Sequence, residues 1–300
     1  MIKDTACCRR KRFVVEHAGS VILLLAFACS SAGGSSGSSA GSGGSSSSRG
    51  GSSGSAAGSN GATAGTQTDM VCTSDTAPGD MVDVPAGSFM MGCNADVDDQ
   101  CDDDEKPQHE VNLSDFSIDV TEVTQDQYAA CMTAGACTPP ACPWDCTQND
   151  YPATCLDWTQ AQSFCAWAGK RLPTEAEWEK AARGKKALKY PWGNDDPDCT
   201  LTNMAGCGDA LMPVGSLPDG ASPYGALDMA GNVVEMVADY YDPNYYASSP
   251  TDDPTGPDSG QRYGGRGGGY KSEALWQRAS KRDWYNFDDN GSALGFRCAQ

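Results

Sequence analysis

Ala168-Gly169-Lys170-Arg171-Leu172-Pro173-Thr174-Glu175-Ala176-Glu177-Trp178-Glu179 is the stretch around which the chain organises itself. Gly169 accepts the left-handed conformation that ends a helix, and Thr174 with Glu177 three residues on makes a capping box that opens the next one. The cap hydroxyl satisfies the third helical N–H while the acid reaches back to the cap's own N–H. Trp178, Ala181 and Ala182 then recur at helical spacing before Gly184 stops the segment. Upstream, Ala161, Phe164, Cys165 and Ala168 line one face of a helix that Thr159 and Gln162 are expected to cap. Further upstream, Thr124 and Gln127 open a helix that stops at Gly135. Cap, apolar stripe and stop agree in these segments, so three short helices with one buried face each are predicted.

Around the helices the pattern is that of short strands and loops. The folded part is expected to begin near Asp80, with Met81–Pro85 and Gly87–Gly92 as two strands flanking a turn. An acidic loop follows, from Asp96 to Glu105 around Cys101. It lacks the central Gly and final Glu of an EF-hand loop, so it reads as a solvated loop pinched by Cys93 and Cys101. From Lys185 onward Gly, Pro, Asp and aromatics dominate, and Val233–Val237 and Leu294–Cys298 are the plausible strands. The reading is an α+β domain with little regular structure and no solenoid repeat.

Of the 15 cysteines, twelve lie at or beyond Cys72, an even and dense set that reads as a disulfide framework in an exported chain. Zinc is the competing reading, but no pair has C-x-x-C spacing and the domain's one histidine is His109. Export itself is read from residues 1–28: Lys3, Arg9, Arg10, Lys11 and Arg12 give a basic start. Val21–Ala28 is an apolar run too short to cross a bilayer. Leu25-Ala26-Phe27-Ala28-Cys29 is similar to a bacterial lipobox, which marks Cys29 as the lipid-attachment residue, with plain secretion as the alternative. Residues 29–79 form the linker. Between 30 and 69 it is almost wholly Ser, Gly, Ala and Thr, a composition that cannot offset its ordering entropy. As a coil its ends would lie roughly 35 Å apart. The expected organisation is therefore signal peptide 1–28, lipidated linker 29–79 and folded domain 80–300.

Processing after Ala28 strips five basic and two acidic residues from a chain of net charge −19, leaving −22. Such a surface repels nucleic acid and favours cations. A membrane is expected to be met only through the lipid.

Several blocks, taken together, carry a resemblance. They are Asp104-Glu105-Lys106-Pro107-Gln108-His109-Glu110-Val111, Thr121-Glu122-Val123-Thr124, Ala168 through Glu179, Tyr190-Pro191-Trp192-Gly193, Asp228-Met229-Ala230-Gly231-Asn232-Val233-Val234-Glu235, and Gly295-Phe296-Arg297-Cys298. In this order, over about residues 81–300, they resemble the formylglycine-generating enzyme, or sulfatase-modifying factor, family. The resemblance implies an irregular, disulfide-rich C-type-lectin-like fold. It also implies oxidation of a sulfatase cysteine to formylglycine by molecular oxygen, with Cu(I) held by two thiolates, the soft ligands that ion needs.

The residues depart from that activity where it matters. In Arg266-Gly267-Gly268-Gly269-Tyr270-Lys271-Ser272-Glu273-Ala274-Leu275-Trp276-Gln277, Gly269 stands at the family's serine, Ser272 at the first thiolate and Gln277 at the second. No cysteine lies between Cys207 and Cys298, so no catalytic residue and no copper are expected. The related sulfoxide synthases use iron on histidines, a site His109 alone cannot build. The resemblance also pairs Cys165 with Cys298, while a second family bridge falls on Ala182 and a residue near Ala279. Cys199 and Cys207 are also expected to join.

The resemblance further implies structural Ca²⁺. Carboxylates of Asp228 and Glu235 with carbonyls of Gly231 and Val233 match one site, and Asn203, Met204 and Asp209 a second, looser one; oxygen ligands suit a hard cation. Trp276, Trp284, Tyr285 and Phe287 fall where the family's substrate groove forms, core packing being the alternative for each. The expected function is a non-catalytic module that binds an extracytoplasmic peptide, protein or glycan. The alternative is an oxidoreductase acting on protein cysteine in the same cleft, which rests on analogy of fold.

Overall fold

The computed structural model describes residues 72–300. The expected signal peptide, Cys29 and the Ser/Gly-rich stretch up to residue 71 lie outside the described residues. Strands β1 (Met81–Val84), β2 (Gly87–Met91), β3 (His109–Leu113) and β4 (Phe116–Asp119) come first. Helices α1 (Gln125–Thr133), α2 (Trp158–Trp167) and α3 (Glu175–Arg183) follow. Strands β5 (Val234–Tyr240), β6 (Arg262–Arg266), β7 (Asp283–Asn286) and β8 (Leu294–Gly295) close the chain.

β1 and β2 flank a turn as expected, yet they do not pair with each other. β1 runs antiparallel to β4, β2 antiparallel to β3, and the late strands form one sheet in the order β7-β6-β5-β8, with β8 parallel to β5. Pro85 lacks the N–H that would continue β1, and Gly87 at φ +126° starts β2 on a new path. Of the terminal strand expected over Leu294–Cys298 only Leu294–Gly295 joins the sheet. Beyond it Ala299 bridges Ile118 and Arg171, so the chain end crosses from one layer to another.

α1 and α3 begin at the predicted capping boxes, with Thr124 accepting from the Gln127 N–H and Thr174 from the Glu177 N–H. α2 differs. Its cap is Asp157, whose carboxylate accepts the Gln160 N–H at 2.8 Å while Gln160 Oε1 accepts the Asp157 N–H at 2.9 Å. Thr159 sits inside the first turn instead. Asp is the stronger N-cap of the two, and it starts the helix two residues earlier than the Thr159–Gln162 reading.

Two apolar clusters fill the interior. One gathers β1 to β4 and α3 around Phe89, Val111, Ile118, Trp178 and Met229; the other gathers α1, α2 and the terminal segment around Tyr128, Phe164, Leu172, Met236 and Phe296. Ala182 and Ala279, at and near the positions expected for the second family bridge, both lie at 0 % exposure in the first cluster.

All twelve cysteines from Cys72 on are joined: 72–146, 93–101, 131–137, 142–155, 165–298 and 199–207. Cys72–Cys146 ties down residues ahead of the expected start near Asp80, helped by Lys170 Nζ donating to the Gly79 carbonyl at 3.0 Å. The acidic loop is less solvated than its composition predicts. Asp98 and Glu105 are buried because Arg278 lies beneath them, 2.9 Å from Asp98 and 2.7 Å from both Glu105 oxygens. Among the described residues no helix is long and apolar enough to cross a membrane.

Candidate functional site

β6 delivers the chain into Gly267–Gly269, the segment on which the family chemistry would depend. Gly267 and Gly268 take φ +90° and +65°, and a Cβ on Gly268 would come within 2.7 Å of the Trp276 carbonyl. Glycine is needed here because the strand folds back against its own continuation. The fold-back brings Ser272 and Gln277, the residues expected at the thiolate positions, within hydrogen-bond reach of one another's segment, and both side chains are polar and neutral. Ser272 Oγ accepts the Gly269 N–H at 3.0 Å. Gln277, at 0 % exposure, donates from Nε2 to the Ser272 carbonyl at 3.4 Å and accepts from Thr202 Oγ1 at 3.3 Å. A soft cation would find amide and hydroxyl oxygens here. Every cysteine among the described residues is held in a disulfide, so none offers a thiolate in its place.

Beneath this segment runs a buried ionic lattice. Arg266 on β6 reaches Glu175 and Glu179 on α3, Arg282 makes a two-pronged pair with Glu175 at 2.8 and 3.0 Å, and Arg183 closes on Glu179 at 2.9 Å. Burial alone would raise the Glu175 carboxyl, but Arg282 and Arg266 outweigh it and hold the group below its usual range. Asp239 has no such cation in contact. Burial, and then the neighbouring Glu175 carboxylate, push it well above the usual range, and its Oδ2 accepts the Glu175 N–H at 2.8 Å. This lattice ties α3 to β6 and to the segment that follows it; within it only Arg266 Nε is buried without a partner.

The expected cation ligands divide unequally. Glu235, at 0 % exposure, accepts from Trp178 Nε1 at 2.8 Å and from Arg297 Nε and Nη2, each at 2.7 Å. Its carboxylate is therefore the counter-ion of Arg297, with three of its roughly four acceptor positions filled, and does not fit as an open cation ligand. Asp228 stands at φ +56° and accepts the Gly215 N–H at 2.5 Å. Gly231 is held by its N–H on the Gly267 carbonyl, and a Cβ there would strike Thr202 and the backbone of Asn203. In the second set, Asn203 donates from Nδ2 to the Ala210 carbonyl and to Asn232 Oδ1, while its own Oδ1 is buried with no donor. An orphaned amide oxygen of this kind fits a hard cation. Asp209 is exposed, just beyond the loop closed by Cys199–Cys207, and accepts the N–H of Gly206 within that loop at 3.0 Å. Met204 accepts the Cys207 N–H.

Sequence reasoning passed over Glu122, quoted above only as part of a block. It is 1 % exposed, neither carboxylate oxygen has a hydrogen-bond donor, and burial, then Asp228, raise it well above the carboxylate range. An acid set between Val120 and Val123 just before a helix cap was the available signal.

The four groove aromatics do not form one wall. Tyr285 and Phe287 turn inward onto Tyr263, Trp158 and Tyr240, with ring centroids 5.3 to 6.0 Å apart. Trp284 projects from the opposite face of β7, exposed, with the Arg262 guanidinium 3.4 Å from its ring centroid. Trp276 is half-buried beside Lys281, whose Nζ is 4.5 Å from the ring. His109 shares a 3.0 Å contact between Nδ1 and the Pro107 carbonyl and packs on Tyr246; it is the one histidine among the described residues.

A loop-rich α+β domain tied by the Cys165–Cys298 bridge, with a Gly-rich fold-back over a buried Arg–Glu lattice, defines a fold of the formylglycine-generating-enzyme type. The chain belongs to the family described as the sulfatase-modifying factor enzyme 1-like domain, which matches residues 66–300. It is similar to the formylglycine-generating enzyme of Streptomyces coelicolor, 34 % identical over 280 residues that cover 73 % of this chain and 88 % of that enzyme. It is also similar to the hercynine oxygenase of Mycolicibacterium smegmatis, 31 % identical over 194 residues, 53 % of this chain and 45 % of the relative. Among solved structures, PvdO from Pseudomonas aeruginosa matches with a TM-score of 0.63 and 30 % identity, over 74 % of this chain and 94 % of the other.

Proposed function

We propose that this protein works outside the cytoplasm as a non-catalytic binding module for a peptide, protein or glycan, held to a membrane by a lipid on Cys29. The observation that carries the reading is the pair Ser272 and Gln277. Neutral groups stand at the two positions matched to the family's thiolates: Ser272 Oγ accepts the Gly269 N–H, and the Gln277 amide donates to the Ser272 backbone carbonyl and accepts from Thr202. Disulfide use throughout the domain is consistent with an extracytoplasmic location. The second reading, oxidation of a protein cysteine in the same cleft, is favoured by the named relatives. Incubation of the protein with Cu(I) and a sulfatase-type cysteine peptide separates the two: the first reading expects the cysteine to be recovered unchanged, and an aldehyde product overturns it.

We further propose structural Ca²⁺, for which the orphaned Asn203 Oδ1 and the Asp228 carboxylate are the support. A cation bound only by the folded chain adds about 2.7 kcal/mol at a hundredfold excess over its dissociation constant. Melting of the EDTA-treated protein should move upward with added Ca²⁺; an unmoved transition in protein shown to be metal-free refutes the calcium reading.

A further inference from the structure

Residues 72–79 run ahead of β1 as a strap, and they are held differently from the rest of the domain. Cys72-Thr73-Ser74-Asp75-Thr76-Ala77-Pro78-Gly79 has no apolar side chain larger than proline, so burial contributes little to keeping it in place. Among the described residues its backbone makes no backbone hydrogen bond before the Asp80 carbonyl takes the Val120 N–H at 2.9 Å. Along α1 it is hydroxyls that make the contacts. The Ser74 N–H donates to Thr133 Oγ1 at 3.3 Å, and Thr76 Oγ1 donates to the Asp126 carboxylate. Lys170 Nζ takes the Gly79 carbonyl at the far end. Hydrogen bonds of this kind are individually modest.

A cleft of about 350 Å³ lies between the strap and the helices. Ala77 and Pro78 line it from the strap, and Ala130, Ala134 and Trp167 line it from α1, its C-terminal cap and the end of α2. The strap thus spans this surface without filling it, and its one covalent hold is Cys72–Cys146. Cys146 is exposed and Cys72 half-buried, and neither belongs to an apolar cluster. Four of the other bridges include a buried cysteine: Cys93, Cys131, Cys155, and both Cys165 and Cys298. Cys199–Cys207 shares the exposure, but it closes a loop within one segment and fastens no second segment to it. Access to sulfur is one of the factors that set the rate of thiol–disulfide exchange.

We propose that Cys72–Cys146 is a redox-operated latch: a dithiol reductant opens it, and the strap then leaves α1 and uncovers the Trp167 cleft. One thiolate of the dithiol attacks the exposed Cys146 Sγ, the S–S bond breaks, and Cys72 leaves as a thiolate that takes up the proton the dithiol lost. The second thiol of the dithiol attacks the mixed disulfide and frees Cys146. The chain gains two thiols, and the reductant ends as a disulfide. With the latch open, the remaining side-chain contacts do not offset the ordering entropy of the segment. The inference goes beyond the binding reading and does not depend on it.

The test is graded reduction of the whole protein with dithiothreitol, followed by alkylation and peptide mapping, with hydrogen exchange read by mass spectrometry. Cys72–Cys146 should open before the four bridges that include a buried cysteine. Amides of 72–79 should then exchange tenfold or more faster, while those of α1 and α3 change little. Cys72→Ser/Cys146→Ser should show the same fast strap without reductant, and Cys199→Ser/Cys207→Ser should leave the strap as protected as in the parent. If the latch variant does not fold, the partly reduced and alkylated parent carries the same comparison. A bridge that resists dithiothreitol until a buried one has opened overturns the latch. So does a strap that exchanges equally fast with the bridge intact, or equally slowly with it open. Loss of protection throughout the domain on opening Cys72–Cys146 also overturns it, because the bridge is then part of the fold's general support.

Discussion

Replacing both Cys165 and Cys298 by alanine removes the bridge between α2 and the terminal segment, and its cost can be worked from the topology. The two residues are 133 apart in sequence. The chain-entropy model gives about 5 kcal/mol for a loop of that length. Cys199–Cys207 is the one other bridge inside the loop, and by short-circuiting 8 positions it lowers the logarithm negligibly. Both cysteines are buried among Phe164, Leu172 and Phe296, so loss of two sulfurs adds a packing cost rather than relieving one. The matching substitution at Cys93 and Cys101, 8 residues apart, should cost only about 2.6 kcal/mol by the same relation. Urea unfolding of the two variants with the remaining bridges intact measures both, since a domain of this kind has roughly 5–15 kcal/mol in all. A Cys165/Cys298 variant that loses under about 1 kcal/mol, or less than the Cys93/Cys101 variant, refutes the entropic reasoning.

Two further outcomes can be checked by the same unfolding measurements. Asp157→Ala should cost about 1 kcal/mol as a lost helix cap, whereas Thr159→Ala should change stability by no more than a few tenths. Asp239→Asn should change the pH profile: burial, then Glu175, raise the folded pKa of Asp239 above its unfolded value. The contribution of the protonated acid is present below the unfolded pKa and is lost as pH rises through the folded one. The variant keeps the acceptor for the Glu175 N–H, so it should match the parent near pH 4 and exceed it near pH 8; a constant difference across that range contradicts the assignment.

What could be read from the sequence was local. Thr174–Glu177 and Thr124–Gln127 satisfy their own neighbours, so spacing alone reveals them, and Gly169 and Gly184 mark where the helices stop. Asp157 was overlooked because Thr159 offered an equally spaced partner in Gln162, and only the geometry of the preceding loop decides between them. The closeness of Ser272 and Gln277 was legible because they are five residues apart on one glycine-led fold-back. The role of Glu235 was not, since its partner Arg297 lies 62 positions away. Whether an acid is a free ligand or half of an ion pair is fixed by tertiary approach. The same holds for Asp98 and Glu105, which composition assigns to solvent and Arg278 draws into the interior. For the aromatics the strand itself separates the two readings: Trp284 and Tyr285 are adjacent on β7 and face opposite ways, so Tyr285 packs inward and Trp284 is exposed.

The proposed binding role requires that the fold-back over Gly267–Gly269 hold no copper. Its most direct test is Cu(I) titration of the protein against a chromophoric competing chelator, run beside Ser272→Cys/Gln277→Cys. The account predicts no stoichiometric Cu(I) on the parent and one tightly held ion on the double variant. A parent that takes one Cu(I) per chain with the chelator in excess contradicts it.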